Sequence, residues 1–322
     1  MIRLQTFEES FPLAKSFTIS RGSKTEACVI RVVATDGEFQ GQGECVPYAR
    51  YGETPESVIA QISSLGKVEN RDSLQTLMPA GAARNAVDCA LWDLEAKQSG
   101  KPVWHLAGLN RPQPVTTAYT LSLNDPAVME EDARRNAHRP LLKVKLGTED
   151  DIARLKAAKR GAPSSTFIVD ANEGWSIESF RLLIPTLKEL DIALVEQPLP
   201  EGKDEILAEL KPEMMLCADE SSHTSEGLEA LSGRYSCVNI KLDKTGGLTE
   251  ALRMKAKAEK LGLGIFVGCM VATSLSMAPA VLLAQGAKFV DLDGPLLLAR
   301  DRPDGLRYDL SSVHPSKPEL WG

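Results

Sequence analysis

The sequence is poor in several features, and each shortage closes off a class of function. Its six cysteines (Cys28, Cys45, Cys89, Cys217, Cys237, Cys269) form no Cys-x-x-Cys pair and mostly sit inside apolar runs. They read as reduced core residues of a cytoplasmic protein, where free cysteine behaves as a small hydrophobe. No apolar run approaches the ~18 residues of a membrane span, and the N-terminus lacks the apolar stretch of a signal peptide. Positive charge is also short, since 37 Lys and Arg against 44 Asp and Glu leave a net charge of −7. Nucleic acid and anionic membranes both demand a basic surface, so neither is expected as a partner. Gly41-Gln42-Gly43 lacks a third glycine and a following helix, so it is no dinucleotide fingerprint.

What remains is an ordinary soluble composition, 43% apolar and 25% charged over 322 residues, with room for one barrel and a smaller domain. Residues 1 to about 50 read as antiparallel strands: Ala27 to Ala34, a turn at Thr35-Asp36-Gly37, and Phe39 to Val46. Ser16 to Lys24 and Pro47 to Pro55 read as polar, irregular loops. Thr54-Pro55 has the form of a helix start. From Ala82 to Lys97, Ala83, Ala86, Val87, Ala90, Leu91 and Leu94 recur at helical spacing until Gly100 and Pro102 stop the run. These signals define an α+β domain over 1–111, with a polar, Pro-rich tail over 300–322 expected to pack back on it. From 112 to 299 strand and helix signals alternate, starting with a strand at Thr116 to Leu121 and a helix from Pro126 to about His138. About eight such repeats in ~180 residues predict an α/β fold closed into a TIM-type barrel.

Five of the barrel strands carry charge at their C-terminal ends: Leu141 to Lys145, Phe167 to Asp170, Ala193 to Glu196, Leu216 to Asp219 and Val238 to Lys241. That end is the catalytic face of such barrels. Asp170, Glu196 and Asp219 lie about one strand–helix unit apart, so their carboxylates are expected at one spot, where they repel unless a cation sits between them. All-oxygen ligation selects a hard ion, Mg²⁺ or Mn²⁺, over zinc. Lys145 and Lys241 flank the three acids from opposite sides. Lysine is a poor base at its free pKa of ~10.4, but a nearby cation and burial lower that value, and Lys143 with the metal supplies that positive field to Lys145. A metal between two lysines suits abstraction of a proton next to a carboxylate, with the charge of an enediolate stabilised by the metal. One lysine removes the α-proton and the other, as an ammonium, protonates the opposite face. The outcome is racemisation or epimerisation, or β-elimination where the substrate has a leaving group. A non-catalytic metal- or peptide-binding barrel is the contrasting reading, and it gives the lysines no role.

These residues resemble the enolase superfamily, muconate-lactonizing-enzyme subgroup, through Lys143-Val144-Lys145, Asp170-Ala171-Asn172, Glu196-Gln197-Pro198, Ala218-Asp219-Glu220-Ser221 and Asn239 to Gly247. The resemblance implies an N-terminal α+β capping domain on a modified (β/α)7β barrel, one Mg²⁺ per subunit on Asp170, Glu196 and Asp219, and Lys145 and Lys241 as the acid/base pair. Within the subgroup the chain looks like the dipeptide epimerases that act on L-Ala-D/L-Glu, with N-acylamino-acid racemases and o-succinylbenzoate synthases as the alternative. The likeness rests on Asp291-Leu292-Asp293, on Gly268-Cys269-Met270 with Thr273-Ser274, and on the helix from Gly81 to Asp93. It implies that Asp291 and Asp293 hold the dipeptide ammonium, with Thr273 and Ser274 also at the substrate. A buried acidic pair calls for a cation, which a free amino terminus supplies. Arg21 is the candidate for the γ-carboxylate of a C-terminal Glu, and Arg50 would serve as well, whereas His223 reads as a helix-start residue. Such barrels often associate into homo-oligomers, and the resemblance suggests a role in cell-wall peptide recycling.

Overall fold

The computed structural model describes residues 2–322. Three long antiparallel strands open the chain: β1 (Arg3–Ile19), β2 (Gly22–Asp36) and β3 (Phe39–Cys45). Four helices follow: α1 (Pro55–Ser63), α2 (Arg71–Leu77), α3 (Ala82–Ser99) and the short α4 (Val103–Leu106). Thr54 caps α1 with Pro55 in its first turn, and Gly100, in the left-handed region at φ 66°, ends α3.

Gly41-Gln42-Gly43 has a packing role. A Cβ on Gly41 would meet the Leu94 backbone nitrogen at 2.2 Å, and one on Gly43 would meet the Ala86 carbonyl oxygen at 2.3 Å. The bare strand lets α3 lie directly on the sheet. Ile30, Val32, Leu74, Ala86 and Ala90 fill the core between them.

The barrel is an eight-stranded parallel sheet whose strand order follows the sequence. After β4 (Val115–Thr116) come β5 (Tyr119–Leu121), α5 (Pro126–Arg135), β6 (Leu141–Lys145), α6 (Asp151–Gly161), β7 (Thr166–Asp170), α7 (Ile177–Glu189) and β8 (Leu194–Glu196). The second half runs α8 (Leu207–Leu210), β9 (Leu216–Ala218), α9 (Leu228–Leu231), β10 (Cys237–Ile240), α10 (Leu242–Thr245), α11 (Leu248–Lys260), β11 (Gly264–Val267), α12 (Ser274–Leu283), β12 (Phe289–Val290) and α13 (Gly294–Leu297). The Ala118 N–H donates to the Val290 carbonyl at 2.8 Å and joins the last strand to the first. In the tail, β13 (Tyr308–Asp309) pairs with β14 (Ser312–Val313), which pairs with β4. Trp321 donates its indole N–H to the Cys89 carbonyl at 3.0 Å, and the Gly322 N–H reaches Asp93 Oδ1 at 2.8 Å.

Two segments differ from the sequence reading. Ser16 to Lys24 is an ordered hairpin, with Thr18 opposite Ser23 and their hydroxyls 2.8 Å apart. Its polar residues mark a strand pair away from the core, and Gly22 supplies the positive φ of the turn, 134°. The strand expected over 116–121 is split, because Thr117 donates its N–H to Ser311 in the tail while Ala118 turns into the barrel. All six cysteines are free, and four of them are buried. Among the described residues no helix is long and apolar enough to cross a membrane.

The close approach of α3 to β3 yields a prediction. Gly43→Ala is expected to lower stability toward the upper end of the roughly 1–3 kcal/mol of an overpacked core, read from urea unfolding midpoints. Gly66→Ala, where an added Cβ meets nothing within 4 Å, is the control and leaves the midpoint in place.

Candidate active site

Side chains two apart on a strand share a face, and this period builds the site. Leu141, Ile168, Leu194, Cys217, Cys237 and Phe266 join Ala118 in an apolar plug inside the barrel. Two residues further along each of five strands the inward positions are polar: Lys143, Asp170, Glu196, Asp219 and Asn239. Lys145 and Lys241 follow one more step up. All seven are buried, so their charges must compensate one another.

Four lysines do this. Lys143 Nζ lies 2.7 Å from Glu196 Oε2, 2.9 Å from Asp291 Oδ2 and 3.1 Å from Asp170 Oδ2. Lys145 donates to Asp170 Oδ2 and Lys241 to Asp219 Oδ2, each at 2.6 Å. Lys244 reaches Asp219 Oδ1 at 2.6 Å. The sequence reading placed a cation among these carboxylates. Here ammonium groups lie between the acids, and among the described residues no three acidic, His or Cys side chains stand grouped for an ion. Burial alone would lower the pKa of Lys143 and Lys241, but the surrounding carboxylates outweigh it and hold both well above the usual value. Burial likewise opposes the charge on Asp170 and Asp219, and their lysines still pull both below the carboxylate range. Glu196 goes the other way. Burial, reinforced by the charge of Asp170, pushes it up to about 7, and Oε2 has no partner in hydrogen-bond geometry. Of the three acids it is the least compensated.

The backbone behind the acids is held in place. Gln197, at φ 34°, accepts the Asp219 and Ser221 N–H groups at 2.8 and 3.1 Å. Its amide donates to Tyr235 Oη at 3.1 Å, and that hydroxyl is anchored on buried Asp204. Asn239 donates to Glu196 Oε1 at 2.7 Å. The sequence reading overlooked both roles, although the inward position of Asn239 follows from the period of its strand.

Over the strand ends lies a cavity of about 600 Å³ roofed by the β1–β2 hairpin and the loop around Tyr48 to Tyr51. Lys143, Lys145, Asp219, Lys241, Asp291 and Asp293 line it. The Asp293 carboxylate accepts the Thr120 N–H at 2.6 Å, and burial, then the neighbouring Asp291, pushes it up to about 7. Thr273 and Ser274, expected at the substrate, do not reach this cavity. Thr273 donates its N–H and hydroxyl to buried Glu44 at 2.9 and 2.6 Å, and Ser274 binds Asp301. Both belong to the start of α12, where a capping threonine satisfies free backbone donors. Arg21 lines the cavity, but its guanidinium is already engaged with Glu220 at 2.7 Å, the Asn172 carbonyl at 2.8 Å and Tyr48 Oη at 3.0 Å. Arg50 is spent on Glu173 and Glu201. His223 stacks edge-on against Tyr51 and pairs with Glu201. The cation left over is Lys24, also in the lining, with its Nζ 5.3 Å from the Tyr48 ring centroid and no ion pair among the described residues. The sequence reading passed over it because its loop looked irregular.

An enzyme that works at an α-carbon next to a carboxylate fits this fold and these strand ends. The chain belongs to the enolase superfamily. Residues 1–108 match the mandelate racemase / muconate lactonizing enzyme N-terminal domain, and residues 128–301 match the enolase C-terminal domain-like family. An L-Ala-D/L-Glu epimerase of Escherichia coli (strain K12) is 43% identical over 98% of this chain and 100% of its own. An N-acetyl-D-glutamate racemase of Pseudoalteromonas sp is 48% identical over 91% of this chain and 95% of its own. A crystal structure of an Agrobacterium tumefaciens enolase family member with homology to dipeptide epimerases, with bound sodium and L-Ala-L-Glu, superposes with a TM-score of 0.98. It is 55% identical and covers 100% of both chains.

The Arg21–Glu220 pair spans capping hairpin and barrel, with Glu220 buried and Arg21 27% exposed. Arg21→Ala is expected to cost about 2 kcal/mol of stability, less than the ~3–5 of breaking a fully buried pair. Denaturant unfolding of the two proteins at neutral pH measures it.

Proposed function

We propose that the chain is a dipeptide epimerase of the L-Ala-D/L-Glu type, exchanging the α-proton of the C-terminal residue by a two-base route. The observation that carries this reading is the placement of Lys145 and Lys241. Their strands, β6 and β10, stand four apart in an eight-stranded barrel, so the two amines face the cavity from opposite sides. Each now donates to a carboxylate, and each becomes a base only by giving up that contact. One amine takes the proton from one face of the carbon and the other returns a proton to the opposite face. Lys143, held charged by three carboxylates, keeps positive field beside Lys145.

Asp170, Glu196 and Asp219 are drawn onto their lysines and not grouped for an ion as they stand. Released from those contacts, this buried all-oxygen set, with the under-compensated Glu196 Oε2, would suit a hard divalent ion, Mg²⁺ with Mn²⁺ as a substitute, one per subunit. When bound, that ion would offset negative charge on the substrate carboxylate as the proton leaves. Asp291 and Asp293 hold the substrate ammonium, and Lys24 the side-chain carboxylate of a C-terminal Glu. The relative with bound L-Ala-L-Glu supports a dipeptide. Six free cysteines suit a reducing, cytoplasmic setting.

A second reading, an N-acylamino-acid racemase, is favoured by the relative that racemises N-acetyl-D-glutamate. The two substrates differ at one group: the dipeptide brings an ammonium and the acetylated amino acid does not. Asp293 accepts that cation best when ionised. The KM for L-Ala-L-Glu is therefore expected to fall as pH rises through about 7, and Asp293→Asn flattens this dependence. Steady-state rates on both substrates across pH decide the matter, and a preference for N-acetylglutamate with no such trend supports the racemase.

α-Proton exchange in D₂O, followed by NMR on L-Ala-L-Glu with Mg²⁺, tests the chemistry. Lys145→Ala and Lys241→Ala are each expected to slow epimerisation by about 10²–10⁴-fold. Epimerisation at the unmodified rate in both variants would sink the two-base route. Lys24→Ala is expected to lower kcat/KM for L-Ala-L-Glu by roughly 10- to 100-fold, the value of a charge-assisted hydrogen bond, while leaving L-Ala-L-Leu unaffected.

A further inference from the structure

The roof of the catalytic cavity hangs on two acids that, unlike those at the strand ends, have no lysine. Asp243 stands in α10, two residues after Lys241, and is buried. Its Oδ1 accepts both the Val46 N–H at 3.0 Å and the Asn85 side-chain amide at 2.9 Å. Glu53 uses both of its oxygens: Oε2 accepts the Tyr48 N–H at 3.1 Å and Oε1 the Ala82 N–H at 2.8 Å. Neither acid has an ion pair among the described residues. Burial pushes Asp243 up to about 7 and raises Glu53 as well. A buried carboxylate without a cation is costly, so the N–H groups it receives are what hold it in place. The chain makes room for Glu53 at Gly81, whose φ is 141° and where a Cβ would stand 2.7 Å from Glu53 Oε1.

We infer that Asp243 and Glu53 are positioning residues that set the gap between the Lys241 side of the cavity and its roof, and so how tightly substrate is held. This rests on the dipeptide reading above. Val46, Tyr48 and Tyr51 line the cavity, whereas Asp243 and Glu53 do not, so each acid acts through the backbone of residues 46–53. Asp243 ties the first residue of that loop to the barrel. Glu53 folds the far end of the loop back onto Tyr48 and the first turn of α3. The frame continues to a catalytic amine, because the Lys244 and Thr245 N–H groups both donate to the Lys241 carbonyl at 3.0 Å. The turn that carries Asp243 therefore starts at Lys241. Loss of either acid frees the roof and weakens substrate binding, while Lys145 and Lys241 keep their places on the strand ends. The two acids also differ in what they require. Asp243 needs one acceptor oxygen, which asparagine also offers. Glu53 needs two, and glutamine would turn its own N–H toward one of the two donors.

Two measurements on the full-length protein with Mg²⁺ test this: steady-state kinetics on L-Ala-L-Glu, and amide hydrogen exchange of residues 46–53 followed by mass spectrometry. In Asp243→Ala and in Glu53→Gln, KM is expected to rise by about 10-fold, the value of a hydrogen bond to a charged group, with kcat in place. Exchange is expected to quicken in residues 46–53 and not along the rest of the chain. Asp243→Asn is expected to match the unmodified protein in both measurements. Damage from Asp243→Asn equal to that from Asp243→Ala, faster exchange of the loop with no change in KM, or a fall in kcat at unchanged KM would overturn the positioning role. Faster exchange along the whole chain in both variants marks lost folding and overturns it as well. Failure of the unmodified protein on L-Ala-L-Glu overturns the dipeptide reading. The exchange of residues 46–53 then decides alone whether the two acids hold the roof: quickened, they do, and unchanged, they do not.

Discussion

Compensation of buried charge is the constraint on which the structure depends. Two like unit charges 4 Å apart repel by about 4 kcal/mol even at an effective dielectric constant near 20, so Asp170, Glu196 and Asp219 cannot share the barrel mouth without cations among them. The fold supplies the cations from the same alternation that supplies the acids. On β6 the sequence Leu141, Lys143, Lys145 runs from the apolar plug upward, and on β10 Cys237, Asn239, Lys241 does the same. The apolar plug closes the barrel interior below and leaves charge only one way to face. Removing any one member strands its partners, which is why these residues act as a set. Glu196 shows where the set is least complete, with Asn239 and Lys143 satisfying it only in part.

The capping sheet meets the barrel by contacts of two kinds. On one side the contacts are buried: Glu44 binds Thr273 and Arg302, and Asp243 accepts the Val46 N–H and the Asn85 amide at 3.0 and 2.9 Å. Over the cavity the contacts are ion pairs of partly exposed arginines, Arg50 with Glu173 and Glu201 and Arg21 with buried Glu220. Exposed pairs contribute ~0–1 kcal/mol each and weaken with salt, whereas buried hydrogen-bonded ones are expensive to break. The cap is therefore anchored at its base by buried contacts and over the cavity chiefly by Arg21 on Glu220 and the Asn172 carbonyl.

Much of the barrel chemistry was legible in the sequence because it is local. A strand of four or five residues with charge at its end is visible in a short window, and successive windows 22 to 26 residues apart imply convergence in a closed barrel. Contacts between distant segments were not legible. Thr273 and Ser274 look like substrate groups until Glu44 and Asp301 are brought beside them, 229 and 27 residues away. Arg21 looked available for the same reason, since nothing near it in sequence reveals Glu220 or the Asn172 carbonyl. Lys24 was passed over for the opposite reason. Its polar neighbours suggested an irregular loop, whereas polarity there marks a hairpin outside the core, whose regular pairing carries Lys24 to the cavity edge.

Specificity and chemistry thus occupy different parts of the chain. The amines and acids sit on barrel strands whose positions are fixed by packing on both faces, and any substrate with an acidic α-carbon beside a carboxylate meets the same set. Choice among such substrates falls to groups at the edges of the cavity. At one edge stands Lys24, with no ion pair among the described residues, on a hairpin whose arginine is already committed. At the other stand Asp291 and Asp293. Asp291 shares Lys143 with Asp170 and Glu196, and Asp293 accepts only the Thr120 N–H, so the two buried carboxylates hold more negative charge than that lysine offsets. A neutral acyl group leaves that excess standing, while an ammonium removes it. The barrel that needed cations to hold its own acids together is thus left with unbalanced negative charge at this edge, which favours a cationic group there over a neutral one.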